Sequence, residues 1–159
     1  MAKVIQLNVK AKKEKEVGLP KHQITEAFVT KSGMQGDFNN YRYDKMNNTE
    51  EQALLIMPIE MINKLNQEGW PLKAGDIGEN LTTEGIPYND FQPNSSFKAG
   101  DVEFEITYAC DPCNNLEHLP YVGKEKGTEF IKTMVKRRGW YAKVIKEGKI
   151  KTGDTLQKL

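Results

Sequence analysis

The chain has 159 residues, 38% of them hydrophobic and 28% charged, with a formal net charge of +1. That length makes one domain, spanning 1–159, able to bury a core without disulfide staples; the near-zero charge provides no bulk field to draw it to nucleic acid or anionic lipid. Met1–Leu7 has no basic stretch leading into a long apolar run, no segment is apolar enough for a membrane span, and there are two cysteines, which predicts a cytoplasmic protein with no signal peptide and free thiols.

Val4–Val9 is the first strand candidate, and the mixed charges of Lys10–Glu16 mark a solvated loop ending at Gly18-Leu19-Pro20. Ile24–Val29 reads as a second strand. Gly36-Asp37 is a turn, because Gly takes positive φ and Asp can bond its own backbone. Ala53–Met57 is a continuous apolar run suited to a strand buried on both faces. Pro58 suits the first turn of a helix from Ile59 to about Gln67, with Ile59, Ile62 and Leu65 on one face and Gly69 closing it. The phrase Lys-Ala-Gly-Asp stands at Lys73–Asp76 and Lys98–Asp101, and Lys-Thr-Gly-Asp at Lys151–Asp154. Their unequal spacing is that of recurrent turns, not of a solenoid. Val102–Tyr108 alternates apolar and polar residues with period two, as a half-buried strand does. Thr128 can N-cap a helix whose Phe130, Ile131, Met134 and Val135 form an apolar stripe and whose basic end (Lys132, Lys136, Arg137, Arg138) complements the helix dipole. Trp140–Ile145 is a further strand, turning at Lys146–Lys149. The pattern is mainly β with a few short helices, and it favours a barrel over a sandwich.

The two cysteines sit three apart, in Cys110-Asp111-Pro112-Cys113. A structural zinc site needs four ligands, and the two histidines, His22 and His118, are too far apart in sequence to complete the usual pattern. A thioredoxin-like dithiol belongs at the head of a helix in an α/β chain, and that alternation is missing. A pair of small buried residues is the plain alternative, although Pro112 fixes a turn that can display Cys113. Of 23 basic residues only Arg42, Arg137 and Arg138 are arginine. Where lysine is the default cation, an arginine is kept for its planar donor fork. Gly78-Glu79-Asn80 follows a Gly-Asp turn and can build a polar loop. No phosphate loop and no nucleophile elbow occurs.

In chain order, Gly36-Asp37 with Arg42, Gln52–Leu55, Ala74-Gly75-Asp76-Ile77-Gly78-Glu79-Asn80-Leu81-Thr82-Thr83, Ala99-Gly100-Asp101, Pro112-Cys113 and Arg138-Gly139-Trp140 through Gly153-Asp154 resemble the MOSC domain. This family names the C-terminal domain of molybdenum-cofactor sulfurases and also occurs as stand-alone bacterial proteins. The resemblance implies a MOSC-type β-barrel and a cysteine, here Cys113, that carries sulfur as a persulfide or ligates the molybdenum of the cofactor. It implies Arg42 and Arg138 as anion clamps and Asn80 as a pterin contact. Three functions follow: a sulfur carrier or molybdenum-cofactor-binding module, a small reductase of N-hydroxylated compounds, or a binding protein without catalysis. The implied partner is a sulfur donor such as a cysteine desulfurase, or an electron donor. No pyridoxal phosphate is expected on this chain. Two positions depart from the family pattern: Cys110 stands where many members have arginine, and Lys45–Glu51 where many have His-Gly-Gly.

Overall fold

The computed structural model describes residues 1–159. In chain order the strands and helices are β1 (Lys3–Val9), β2 (His22–Ile24), β3 (Glu26–Thr30), β4 (Gly33–Met34), α1 (Asn40–Lys45), β5 (Leu54–Pro58), α2 (Ile59–Gln67), β6 (Leu81–Glu84), β7 (Ser96–Ala99), β8 (Val102–Ala109), α3 (Gly123–Met134), β9 (Trp140–Lys146), β10 (Gly148–Lys151) and β11 (Leu156–Lys158). Short 3-10 turns stand at Glu50–Gln52, Tyr88–Asp90 and Asn114–His118. No helix is long and apolar enough to cross a membrane.

Eight strands form one sheet in the order β11-β7-β8-β9-β5-β6-β1-β2, and β10-β3-β4 form a second. β5 and β6 pair in parallel, joined by the α2 crossover, while the other strand pairs are antiparallel. The expected barrel is not closed: the ladder order ends at β11 on one side and β2 on the other. The sheet curls far enough that residues around the start of β11 reach those around the start of β1. Val4 N donates to Asp154 O (2.9 Å), Gly153 N to Val4 O (2.8 Å) and Leu156 N to Ala2 O (2.9 Å).

Two expected elements are drawn differently. Ile24–Val29 is not one strand, because the chain bends at Thr25 and leaves the large sheet for the small one. At this corner Thr25 O accepts from Thr152 N (2.9 Å), the turn after β10. The second long helix starts at Gly123, so Thr128 lies exposed within it, and Val135 lies past its end, half exposed. Gly127, Phe130 and Met134 make its buried row. α2 spans Ile59–Gln67 as expected, burying Ile62 and Leu65.

β5 organises the interior, since alternate residues of a strand point to opposite faces. Leu54 and Ile56 join the core inside the curl with Phe91, Phe97 and Phe104. Met57 joins the layer between the sheet and α2 and α3, with Ile62, Trp70 and Phe130. Leu55 packs in a small group with Cys110 and Tyr141.

Candidate functional site

Between Ile106 and Ala109, three steps along β8 oppose two along β9, from Ala142 to Trp140. This bulge adds one residue to β8 and re-aims the chain, a device common beside functional sites. The segment leaving β8 carries both cysteines. Cys110 N donates to Gly139 O (2.9 Å), while its side chain is 1% exposed and packs on Leu55 and Tyr141. Burial pushes the Cys110 thiol up, outweighing the Arg138 charge nearby. Burial, then the neighbouring Cys110, also push the Tyr141 hydroxyl up. Cys113, beyond Pro112, is half-buried, and neither cysteine is in a disulfide.

Arg138 faces this segment. Its Nη1 donates to Asp111 O (3.0 Å) and lies 3.2 Å from Cys113 Sγ, and its Nη2 donates to Ile77 O (3.3 Å). The fork thus ties together the cysteine loop, the loop before β6 and the chain entering β9. Gly139 makes that pose possible. It has φ +98°, and a Cβ there would stand 2.5 Å from Ile56 O, so the backbone passes β5 closer than any side chain allows. Tyr88 hydroxyl accepts from Gly139 N (3.0 Å) and donates to Gly139 O (3.3 Å).

Cys113 and Arg138 line a cavity of about 320 Å³, within the size range of small-molecule sites. Lys21, Gln52, Tyr108 and Tyr141 line it as well. Gln52 Nε2 donates to Tyr108 Oη (2.9 Å), and the Tyr108 and Tyr141 rings meet edge to face at 5.6 Å. Two buried polar atoms of the lining residues have no partner: Gln52 Oε1 and Arg138 Nε.

The other two residues expected at the site lie apart, beside a separate space of about 30 Å³. Arg42 Nε, Nη1 and Nη2 donate to the carbonyls of Thr49 (2.6 Å), Ser32 (2.5 Å) and Asn48 (3.1 Å). Three of its five N–H donors meet backbone, so it braces the 32–49 segment. Asn80 is likewise fully engaged. Its Oδ1 accepts from Leu55 N (3.0 Å), and its Nδ2 donates to Asp37 Oδ2 (2.8 Å) and Asn8 O (3.3 Å).

Behind the cavity runs a buried polar chain. Asp37 accepts from Lys21 Nζ (2.6 Å), Lys10 N (2.9 Å) and Asn80 Nδ2. Asn8 Nδ2 donates to Thr82 Oγ1 (3.2 Å), which donates to Glu79 Oε1 (3.0 Å); Gly75 N also donates there (2.7 Å). Glu79 Oε2 has no partner. Burial pushes the Glu79 carboxyl up to about 7, against the lowering effect of the Gly75 and Thr82 hydrogen bonds. Gly75 takes φ +93°, and a Cβ there would meet Lys21 O at 2.6 Å.

Of the residues expected at the site, the cavity brings Cys113 and Arg138 together; beside them it sets Lys21, Gln52, Tyr108 and Tyr141, which the sequence did not single out. Lys21 is one lysine among 20. Tyr108 and Tyr141 read as ordinary strand residues until the bulge turns their ends of β8 and β9 toward the cavity.

The class is now defined: a mainly β domain whose curled sheet and two-helix layer hold one accessible thiol, beneath an arginine, at a ligand-sized cavity. The MOSC domain model matches residues 42–157, and the chain belongs to that family. No curated protein matches it significantly. Among solved structures it is similar to the YuaD protein of Bacillus subtilis, at TM-score 0.81 and 18% identity over 98% of this chain and 93% of that one. It is also similar to YiiM of Geobacillus stearothermophilus, at 0.75 and 23% over 100% and 75%. YiiM of Escherichia coli follows at 0.68 and 20%, over 100% of this chain and 70% of that one. At these identities the likeness is one of fold.

Proposed function

We propose that this MOSC protein binds a pterin-type molybdenum cofactor, with Cys113 as its one protein ligand to the metal. The observation that carries this reading is the Cys113 sulfur, 3.2 Å from Arg138 Nη1 on the wall of the 320 Å³ cavity. A thiolate is a soft ligand suited to a soft metal. No cluster of three or more His, Cys, Asp or Glu side chains surrounds the cavity or stands elsewhere. A metal held here therefore arrives with most of its ligands, as it does in a cofactor. When bound, such a group supplies two-electron redox chemistry.

The chain's own residues do the rest. Arg138 lies against the Cys113 sulfur and carries a further buried N–H with no protein acceptor. Tyr141 closes the wall over Cys110, keeping that thiol out of the site. Cys110, buried and held neutral, is unsuited to dithiol exchange. Sulfur carriage on Cys113 is the second reading, favoured by its partial exposure at the cavity; it requires a donor such as a cysteine desulfurase. Work by a free thiol suits a reducing cytoplasm.

The test is expression in a host that makes molybdenum cofactor, followed by metal and pterin analysis. Near-stoichiometric molybdenum that disappears in Cys113→Ser supports ligation. No metal, with a persulfide mass shift on Cys113 after incubation with a desulfurase, supports carriage. Neither signal leaves a binding protein without this chemistry. Turnover of an N-hydroxylated compound by the loaded protein with an electron donor identifies a reductase.

A further inference from the structure

We infer that the Tyr108 hydroxyl, aimed by Gln52, is the hydrogen-bond donor that holds an uncharged acceptor atom, a carbonyl oxygen or a ring or imine nitrogen, of a substrate entering the cavity beside Cys113. The inference deepens the reading of that cavity as a ligand site and rests on it. Tyr108 sits in the β8 bulge, where Thr107 Oγ1 donates to Glu51 O (2.7 Å) and draws the strand against the Glu50–Gln52 turn. Tyr108 and Gln52 thus stand together on the cavity wall. A tyrosine hydroxyl has one hydrogen to give and lone pairs to accept with. Gln52 Nε2 donates to Tyr108 Oη (2.9 Å), so that bond uses a lone pair and leaves the hydrogen without a protein acceptor. The ring is steadied edge to face against Tyr141 at 5.6 Å.

The direction of the hydrogen depends on which way the Gln52 amide faces. Turned over, the amide would accept from Tyr108, and the cavity would meet an oxygen with no hydrogen to offer. The far side of the amide decides. Gln52 is 4% exposed, its Oε1 has no protein partner, and it borders the polar space of about 30 Å³ beside Arg42. Arg42 spends three of its five N–H donors on backbone and keeps two, and a space of this size admits a bridging water. Asp37, the carboxylate on the same space, already accepts from Lys21 Nζ, Lys10 N and Asn80 Nδ2. That side is short of an acceptor, which the amide oxygen supplies, and the NH2 falls to Tyr108. Gln52 is therefore the positioning residue. Neither side chain is charged, so what the pair selects is an acceptor atom. Tyr108 is 38% exposed and Arg138 8%, which puts the hydroxyl toward the open side of the cavity, where a molecule arriving after the cofactor meets it.

The test uses the full chain, free of metal, and two probes of one shape: acetophenone, and α-methylstyrene, in which a methylene replaces the carbonyl oxygen. The ratio of their affinities is the readout, because a change in packing alone moves both. Tyr108→Phe is expected to lower the preference for acetophenone about fivefold, the worth of one hydrogen bond. Gln52→Glu keeps the shape but puts an accepting oxygen beside Tyr108. It should turn the hydrogen away and lower the ratio as far, with the tyrosine intact. No saturable binding of acetophenone to the wild type, or a ratio unchanged in either folded variant, overturns the inference. Should Gln52→Glu fail to fold, the carbonyl stretch of bound acetophenone gives the answer. It is expected at lower frequency in wild type than in Tyr108→Phe, and equal frequencies overturn the inference.

Protein from a host that makes the cofactor separates substrate from cofactor as the partner of this hydroxyl. Tyr108→Phe is expected to hold as much molybdenum and pterin as wild type, and loss of pterin would overturn the assignment to a substrate. A Tyr108-dependent ratio in protein that never acquires molybdenum leaves this inference standing and removes the cofactor reading.

Discussion

Replacing Glu79 by Gln is expected to change how the stability of the protein depends on pH. Glu79 is fully buried, Gly75 N and Thr82 Oγ1 serve one of its oxygens, and the other has no partner. Its carboxyl titrates near 7 in the folded chain, against an ordinary value of 4.5. The folded state therefore holds this proton more tightly than the unfolded state does between those two values. Stability from this group is fully present below about pH 4.5 and is lost as pH rises through 7. The gap of about 2.5 pH units corresponds to roughly 3 kcal/mol at 1.36 kcal/mol per unit. Glu79→Gln keeps the shape and removes the charge. Urea unfolding of both proteins across pH 4.5–8 measures the difference. The variant's advantage should grow by about 3 kcal/mol from the acid end to the alkaline end. Parallel curves, whatever their offset, would refute a carboxylate that is forced to ionise in a buried place.

Three further outcomes are expected. Arg42→Ala leaves the carbonyls of Ser32, Asn48 and Thr49 without their donors, and should lower unfolding stability by roughly 2–4 kcal/mol while molybdenum or persulfide loading at Cys113 is retained by the folded fraction. Gly139→Ala forces a side chain into Ile56 O at φ +98° and should cost about 2 kcal/mol or more, read as a lower melting temperature; an unchanged melting temperature would mean the chain passes β5 less closely than described. Iodoacetamide on the native protein should label Cys113 once and leave Cys110 unmodified, because Cys110 is 1% exposed and burial holds its thiol up. Peptide mass spectrometry distinguishes that result from double labelling, which would place Cys110 in the site.

Much of this arrangement was legible in local pattern. The alternation of Val102–Tyr108 predicts β8, the unbroken apolar run before Pro58 predicts a strand buried on both faces, and α2 begins and ends within a residue of its chemistry. The scarcity of arginine was also informative: Arg42 meets three carbonyls, Arg137 grips Glu68 through two nitrogens (2.6 and 2.9 Å), and Arg138 spans two loops and a sulfur. Each uses the planar fork that lysine lacks. What escaped depends on residues distant in sequence. Whether a fork meets an anion or a carbonyl is decided by where the 32–49 segment folds. The burial of Lys21 arises because Asp37 and the cavity wall enclose it. The bend at Thr25 is fixed by Thr152, far along the chain.

The bonds between Ala2–Val4 and Gly153–Leu156 bear on how the molecule is made. β1 finds these partners about 150 residues further along the chain. β1 must also wait for β6, and β3 for β10. Assembly is thus governed by closures of long loops, whose entropy must be overcome before the contacts reward it. Until β6 follows, β1 has only the short β2 beside it and one open edge, the condition in which newly made β-rich proteins are most exposed to aggregation and most in need of a chaperone.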